Sequence, residues 1–268
     1  MVSRRWAIFA LTVVVLACGC YLLGRWQFHR LHDRESTNAQ IRHNLAADPS
    51  PVGDVLAPGR ESRPRDEWRR VTATGTYDQK RSVVIRYQTR DGSSGVDIVT
   101  PLRTSQGPSL LVDRGWLKTN NVGAAAVDGP APPAGRVTVE GFVRADATGD
   151  ATTVTDRSAR AISSRAIGRS TGLQVYGGFV DAQKETPAPA TRLVPAERPD
   201  LGNGPHFFYG LQWWFFGLLA VFGFFFLAHD ERKKLRAGTE PAGDGPSEGA
   251  GHPAVDREHR AADEARSG

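Results

Sequence analysis

The sequence is poor in residues that cross-link a fold or build a metal centre. Its 268 residues include two cysteines, Cys18 and Cys20, and both lie in one apolar segment. This excludes a disulfide framework joining distant parts of the chain. On a helix the two side chains diverge by about 200°, so they cannot chelate one ion together. We interpret them as small apolar residues that let a neighbouring helix approach closely.

Several motifs on which enzyme predictions rest are also missing. The chain has no Gly-rich phosphate loop, no His-Glu-x-x-His zinc motif and no Cys-x-x-Cys pair. Because no constellation of catalytic residues emerges, we predict that the protein is not an enzyme.

Positive charge is in slight excess, with 34 Lys and Arg against 29 Asp and Glu and a net charge of +5. The basic residues of segment 25–206 are scattered, without the aromatic interleaving of a single-strand binder or a helix-turn-helix pattern. Nucleic acid is therefore not an expected partner, whereas a mildly basic face suits anionic lipid headgroups.

Apolar residues are pooled into two blocks, and both have the length of a membrane span. Residues 6–24 contain no charge, and residues 207–228 contain Gln212 as their only strongly polar side chain. About 20 apolar helical residues cross the ~30 Å hydrocarbon core of a bilayer. The alternative for the first block is a cleaved signal peptide, but the block exceeds the usual apolar length and no Ala-x-Ala site follows. We predict two transmembrane helices.

Orientation follows from loop length more than from charge. The segment between the spans, residues 25–206, is far longer than the loops that the positive-inside rule covers, and long loops translocate largely regardless of their charge. We therefore place residues 1–5 and 229–268 in the cytoplasm and residues 25–206 outside it. Beyond Arg236 the tail has Val255 as its only branched aliphatic residue and no aromatic residue, so we predict that the tail is disordered.

The middle of the chain reads as a β-rich domain preceded by a helix. Residues 25–46 contain helix formers without Pro or Gly, which favours a helical stalk that continues the first span. Short alternating runs punctuated by Gly and Pro then predict an antiparallel sheet or partial barrel, in an α+β domain. The predicted strands are 68–77, 82–88, 96–102, 110–116, 137–143 and 178–181, and a helix is possible at 158–171.

The stretch Asp113-Arg114-Gly115-Trp116 has the strongest chemical character in this domain. In a strand Asp113 and Arg114 point to opposite faces and cannot pair with each other. We favour a strand end that turns at Gly115, with Trp116 stacked against the arginine. Asp181 is a carboxylate without an evident partner.

His206 is the most informative histidine, since it follows Pro205 at the mouth of the second span. Tyr209, Gly210 and Trp213 follow at helical spacing on the same face. An imidazole at the membrane boundary, a small residue leaving room and two aromatic rings suit a heme, whose iron neutral imidazole commonly ligates. The alternative is an interfacial histidine that caps the helix or meets headgroups.

Five groups of residues form motifs along the chain: Leu23-Gly24-Arg25-Trp26-Gln27 with Arg30, Gly75-Thr76-Tyr77, Gly95 leading to Pro101-Leu102, Leu111 to Trp116, and Asn203-Gly204-Pro205-His206 with Tyr209, Gln212-Trp213 and Phe215. Taken together, they resemble the motifs of the Surfeit-locus (Surf-one/Shy-one) family and follow the family's order over most of the chain except the tail. Residues 145–179 depart from the family pattern.

The resemblance implies an accessory factor that assembles heme-copper cytochrome c oxidase where heme A enters subunit I, with heme A synthase as a possible further partner. It implies His206 as the iron ligand, flanked by Tyr209 and Trp213. The motif residues Arg25, Trp26 and Gln27, and likewise Arg114, Gly115 and Trp116, are expected to be structural or partner-facing.

Two alternatives stay open: a scaffold that stabilises nascent subunit I without touching heme, and a stably bound accessory subunit of a respiratory supercomplex. Of the 34 basic residues 29 are Arg, which is typical of a high-GC bacterium and places the protein in the bacterial cell membrane.

Overall fold

The computed structural model describes residues 4–105, 107–120 and 129–237, with the backbone alone for 235–237. These residues divide into two compact units. One is the continuous segment Tyr21–Trp214, and the other combines residues 4–20 with residues 215–237. Most of the tail predicted to be disordered lies outside the described residues.

Two long helices carry the apolar blocks. Helix α1 spans Arg4–Ala46, so the helix predicted for residues 25–46 continues the first block without a break. The last helix begins at His206 and ends at Ala237. Both helices are long and apolar enough to cross a membrane.

Within the unit of residues 4–20 and 215–237, the two helices meet through aromatic rings and small residues. Phe224 packs against Trp6 and Phe9, with ring centroids 5.9 and 5.4 Å apart. A Cβ at Gly217 would lie 3.2 Å from the Cβ of Cys20. Cys20 therefore lies at a close helix contact, as we expect of a small apolar residue, whereas Cys18 is exposed.

The unit Tyr21–Trp214 is built on eight strands and two short helices. The strands are β1 (Ser50–Pro51), β2 (Arg70–Tyr77), β3 (Val83–Arg90), β4 (Ser93–Thr104), β5 (Ser109–Lys118), β6 (Val137–Arg144), β7 (Ser158–Ala159) and β8 (Val175–Thr186). The short helices are α2 (Val52–Val55) and α3 (Ser164–Thr171), which makes the helix beginning at His206 α4.

The sheet closes on itself. Its strand order is β1-β2-β6-β8-β5-β4-β3-β7, and β2 also pairs with β4. The strands β2, β6, β8, β5 and β4 thus form a ring, with β3 and β7 extending beyond it. Closure depends on Gly75, because a Cβ there would lie 2.2 Å from the Arg103 carbonyl oxygen.

Strand direction corrects part of the prediction. Most neighbouring strands are antiparallel, but β1–β2, β3–β7 and β5–β8 pair in parallel, so the sheet is mixed. The predicted helix at 158–171 is also too long at its start, because Ser158–Ala159 forms β7 and α3 begins at Ser164. Ser163 caps α3 by accepting a hydrogen bond from the Ala166 N–H, and Gly172 ends it in the left-handed conformation.

Strand β5 is buried on both faces. Leu110 and Val112 belong to the apolar cluster inside the ring. Leu111 belongs to a second cluster on the outer face, where Ile167 of α3 covers it. Because successive side chains of a strand alternate, polar residues at the end of β5 are buried on two different faces.

Candidate functional site

His206 contacts α1 through a single polar partner. As the first residue of α4, it places its Nδ1 atom 3.0 Å from Oε1 of Gln27. An amide oxygen accepts hydrogen bonds, so Nδ1 carries the proton and donates. In the neutral imidazole the lone pair then lies on Nε2, which is the arrangement required of a metal ligand.

Gly204 lies beside the Nε2 edge of this ring. Its backbone has a φ of +65°, which favours glycine, and a Cβ there would lie 3.6 Å from Nε2 and 3.4 Å from Cδ2 of His206, at ordinary contact distance. The lone pair on Nε2 is the group with which an imidazole ligates a metal such as a heme iron.

The space expected beside Gly210 is filled. The ring of Phe28 occupies it, since a Cβ at Gly210 would lie 2.8 Å from Cε2 of that ring. Phe28 also packs on Trp214, with ring centroids 4.8 Å apart. Our expectation that Gly210 leaves room for a macrocycle is wrong, because this face of α4 packs against α1. Tyr209 is 48% exposed.

The other motif residues of α1 lie at the surface. Trp26 is exposed, and the Arg30 guanidinium lies 5.8 Å from its ring centroid. Arg25 is exposed, and within the described ranges no ion pair or hydrogen bond involves its side chain. Exposure of both side chains is compatible with contacts to a partner or to lipid headgroups.

Sequence reasoning missed the residues that hold the segment before His206. Arg34 donates to the Gly202 carbonyl at 2.6 Å and pairs with Asp200 at 3.1 Å. Asn38, 3% exposed, donates to the Leu201 carbonyl at 3.1 Å. The sequence does contain a pattern that points to these residues. Arg34 and Asn38 lie four residues apart and so share one face of α1.

The Asp113–Trp116 stretch does not end its strand. Gly115 has a φ of +124° and forms a bulge, at which Asp113 opposes Val99 and Trp116 opposes Asp97. The bulge returns Trp116 to the face of Asp113, opposite that of Arg114. The expected stack of Trp116 on Arg114 is therefore wrong.

Two other pairs replace the stack expected for Trp116. The Arg90 guanidinium lies 5.9 Å from the Trp116 ring centroid. The Arg114 guanidinium lies 5.5 Å from the ring centroid of Tyr77. The opposite directions of Asp113 and Arg114 are as predicted.

Arg114 lies on the inner face of the ring in a closed polar network. Its Nε is 3.3 Å from Oε1 of Glu185, and Nη1 donates to the Pro130 carbonyl at 2.8 Å. The hydroxyl of Tyr77 donates to the same Glu185 oxygen at 2.5 Å. Burial, together with the Glu185 charge, raises the pKa of Tyr77 above its usual range.

The outer face carries three buried aspartates on neighbouring strands: Asp97 on β4, Asp113 on β5 and Asp181 on β8. Arg90 pairs with Asp97 at 2.8 Å, and Arg144 pairs with Asp181 at 2.8 Å, so Asp181 does have a partner. All three line a cavity of about 690 Å³, which we call the acidic cavity.

Burial raises the pKa of each of these carboxyl groups. The pKa of Asp97 is raised to about 6, and that of Asp113 lies well above its usual range. For Asp113 the charges of Asp97 and Asp181 add to the effect of burial, whereas the charge of Arg144 opposes the rise in the pKa of Asp181. These groups hold protons more tightly than exposed aspartates do.

One short motif at the end of α3 matches the sequence pattern of a catalytic serine. Gly168-Arg169-Ser170-Thr171-Gly172 has the Gly-x-Ser-x-Gly pattern of a hydrolase nucleophile. That chemistry needs the serine at a turn from strand to helix, but Ser170 lies in the last turn of α3 and donates to the Ile167 carbonyl at 3.0 Å. The motif therefore caps a helix. Across the described residues, no three His, Cys, Asp or Glu side chains are placed to hold a metal ion.

Comparison with known proteins agrees with the order of motifs along the chain. The sequence profile of the SURF1 family matches residues 14–218. Uncharacterized SURF1-like proteins of Mycobacterium bovis and Mycobacterium tuberculosis are 31% identical over 245 residues, which cover 88% of this chain and 89% of each relative. A SURF1-like protein of Rickettsia bellii is 32% identical over 114 residues, or 41% of this chain and 44% of that protein. The family profile covers most of α1, the sheet and the start of α4, and this chain belongs to the SURF1 family.

Proposed function

We propose that this chain assists the assembly of heme-copper cytochrome c oxidase by holding heme A at His206 until subunit I receives it. Membership of a family known generally for oxidase assembly supports the process. The observation that supports the site is the hydrogen bond between His206 and Gln27. It directs the lone pair of the imidazole to Nε2, the atom that would ligate the heme iron.

Gln27 acts on His206 as a positioning residue. Histidines that bind metals commonly donate their second ring N–H to an oxygen, which fixes the tautomer, orients the ring and raises its basicity. The amide oxygen of Gln27, 3.0 Å from Nδ1, supplies this contact from α1. Heme A would supply an iron that the imidazole of His206 could ligate. In this proposal the residues of both helices form the site.

The segment that leads to His206 is fixed from the same helix. Arg34 and Asn38 of α1 donate to the carbonyls of Gly202 and Leu201, four and five residues before His206 respectively. Several hydrogen bonds to one short segment restrict the directions from which α4 can start. The imidazole is thereby held at a defined position, which a ligand needs and a headgroup contact does not.

Transfer requires a graded affinity. A carrier must bind heme tightly enough to keep it from solvent and less tightly than its acceptor does. A single histidine ligand would fulfil the first condition, and the family resemblance implies two histidines in subunit I for the second. In the membrane this site lies at the extracytoplasmic end of the two spans, with both termini in the cytoplasm of a bacterial cell.

A scaffold without heme is the second candidate, and the exposed side chains support it. Trp26 and Tyr209 are large, half-exposed aromatic residues at the ends of the two apolar blocks. Aromatic residues of this kind often contact partners or the membrane interface. The scaffold would stabilise nascent subunit I, and a permanent accessory subunit of a supercomplex would use the same surface.

The experiment is a visible spectrum of the full chain, purified in detergent from a bacterium that also produces heme A. We expect a heme A spectrum with the wild type, its loss in His206→Ala, and no change in His29→Ala, which removes an exposed histidine of α1. If the wild type carries no heme A, or if His206→Ala binds it unchanged, the ligand role fails and the scaffold remains. Stable co-purification with mature, heme-loaded oxidase would instead indicate an accessory subunit.

Gln27→Leu tests the positioning role separately. Loss of such an outer partner typically lowers metal affinity by about 10–100-fold. We expect Gln27→Leu to lower heme A affinity within this range and Gln27→Glu, which keeps an oxygen acceptor, to retain most of it. Equal affinity of the leucine variant and the wild type would remove Gln27 from the site.

A further inference from the structure

The acidic cavity has a charge opposite to that of the whole protein. The chain carries a net charge of +5, yet twice as many carboxylates as arginines line this cavity. Its volume of about 690 Å³ falls within the range of small-molecule sites. The carboxylates are Glu67, Asp97, Asp113, Asp146, Asp181 and Glu197, and the arginines are Arg90, Arg144 and Arg160.

Among the described residues of the cavity wall, Asp113 is a buried carboxylate without a cationic partner. It is 4% exposed, and its Oδ1 accepts a hydrogen bond from the Gly115 N–H at 2.9 Å. Within the described ranges no ion pair joins it to an Arg or Lys side chain. Arg90 and Arg144, the nearby cations on β3 and β6, are engaged by Asp97 and Asp181.

A buried carboxylate in this position needs either a proton or a cation. Burying an ionised group without a partner is costly, so the group is neutralised or paired. Two residues near Asp113 on the sheet are acidic: Asp181 lies directly opposite it on β8, and Asp97 lies on β4, two residues from Val99, the direct partner of Asp113 there. The cavity therefore repels anions and attracts a positive group toward Asp113.

The shape of the site favours an organic cation over a metal ion. A metal needs several ligand atoms that converge within bonding distance, and no such group of His, Cys, Asp or Glu is present among the described residues. A guanidinium or an alkylammonium group needs only one or two carboxylate oxygens and can pack its stem on apolar side chains. Phe179 and Ile162 provide such surface in the wall of the cavity.

We propose that the acidic cavity binds a guanidinium or alkylammonium group, with Asp113 as its counter-charge. The ligand is a small organic cation or the basic side chain of a partner polypeptide. The cation competes with the proton that burial favours on Asp113, so its entry releases protons. The proposal does not depend on heme binding at His206.

Proton release makes the affinity depend on pH. Binding tightens as pH rises, because the competing proton on Asp113 is lost. The affinity at a given pH also depends on the other charged groups around the cavity, because their charges act on Asp113. They are Arg90 on β3, Asp97 on β4, Arg144 on β6, Asp181 on β8, Glu67 before β2, Asp146 and Arg160 in the β6–α3 connection, and Glu197 before α4.

The test uses the full chain in detergent with N-acetyl-L-argininamide as the probe, followed by calorimetry and by thermal unfolding. N-acetyl-L-citrullinamide, which has the same shape without the charge, is the matched ligand control. Asp113→Asn keeps the oxygen that accepts from Gly115 and removes the charge, and Asp156→Asn makes the same change at an exposed carboxylate outside the cavity lining.

We expect the arginine probe to bind and to raise the unfolding temperature of the wild type and of Asp156→Asn. Binding to Asp113→Asn should be at least tenfold weaker, and the citrulline probe should not bind. Equal binding to Asp113→Asn, or no binding to the wild type, overturns the proposal. Wild-type affinity that does not increase between pH 6 and pH 8 overturns it as well, whatever the variant does.

A second arm identifies the source of the cation. The blocked tripeptide acetyl-Gly-Arg-Gly-amide carries the same guanidinium within a polypeptide backbone. Tighter binding of the tripeptide supports a partner's side chain, and tighter binding of the single residue supports a small organic cation. The heme A spectrum of Asp113→Asn should equal that of the wild type, so failure of one proposal is distinguishable from failure of the other.

Discussion

The two faces of strand β5 bury charge in opposite ways. On the inner face Arg114, with a side chain 2% exposed, has Glu185, Tyr77 and a carbonyl oxygen as partners. On the outer face Asp113 is similarly buried but has a backbone N–H and two acidic neighbours. A buried network in which each polar group has a partner stabilises the fold. A buried carboxylate that faces a cavity without a cation costs stability, and such groups are typical of functional sites.

The inner network gives the largest expected effect. Arg114→Met leaves Glu185 buried without its cation, and removing one partner of a buried ion pair costs about 3–5 kcal/mol. We expect a loss of this size in the free energy of unfolding, measured by denaturant titration of the full chain with tryptophan fluorescence. The control is Arg103→Met, whose half-exposed pair with Asp78 is worth about 1 kcal/mol or less. Similar losses of unfolding free energy in the two variants would mean that the buried network of Arg114 stabilises the fold no more than the half-exposed pair of Arg103 does.

The bulge that separates the two faces gives the next largest effect. Gly115→Ala combines a φ of +124° with a Cβ placed 2.5 Å from the Val194 carbonyl oxygen. Backbone strain of this kind costs about 1–3 kcal/mol, and the close contact adds to it. Gly92→Ala is the matched control, since its φ is +71° and the space around it is open. We expect the unfolding temperature to fall more for Gly115→Ala than for Gly92→Ala. Equal falls would show that Val194 can move away from the new Cβ without a loss of stability.

The outer face predicts a pH effect of intermediate size. Because the pKa of Asp113 is raised from its usual 3.8, the folded protein keeps a proton that the unfolded chain has already lost. Stability conferred by this group is therefore complete below about pH 4 and falls as pH rises toward the pKa of the folded state. Asp97 and Asp181 act in the same direction.

Asp113→Asn should flatten this dependence without abolishing it. We expect the variant and the wild type to unfold at similar temperatures near pH 4, and the variant to be more stable by several degrees at pH 8. Thermal unfolding of both proteins at several pH values, without added cations, is the measurement. A variant that is less stable than the wild type at pH 8 would show that the ionised Asp113 stabilises the fold.

The local sequence pattern predicts helices and strands, whereas pairing between residues far apart in the sequence determines which side chains meet in the acidic cavity. Alternation was sufficient to find β2 to β6 and to send Asp113 and Arg114 to opposite faces. It could not find the two-residue strands β1 and β7, or the parallel pairing of β5 with β8, which brings Asp181 opposite Asp113. The Gly115 bulge also reverses the alternation on which the Trp116 prediction relied.

The same limit applies at His206. Its position before an apolar helix made it a candidate, but Gln27 lies 179 residues away along the chain. Phe28, whose ring fills the space beside Gly210, is equally distant in sequence from the residue it meets. Both contacts depend on how α1 and α4 meet within the unit Tyr21–Trp214, which no local pattern encodes.

The contact between Gln27 and His206 gives the smallest expected effect on stability and sharpens the contrast with Arg114. Both involve a side-chain pair that joins distant segments, but this pair is only partly buried. A single hydrogen bond of this kind contributes about 0.5–1.5 kcal/mol. We therefore expect Gln27→Leu to change the free energy of unfolding by about 1 kcal/mol or less, by the same denaturant titration, while heme A affinity falls. A loss as large as that of Arg114→Met would make Gln27 a structural residue and remove the argument that it serves the imidazole.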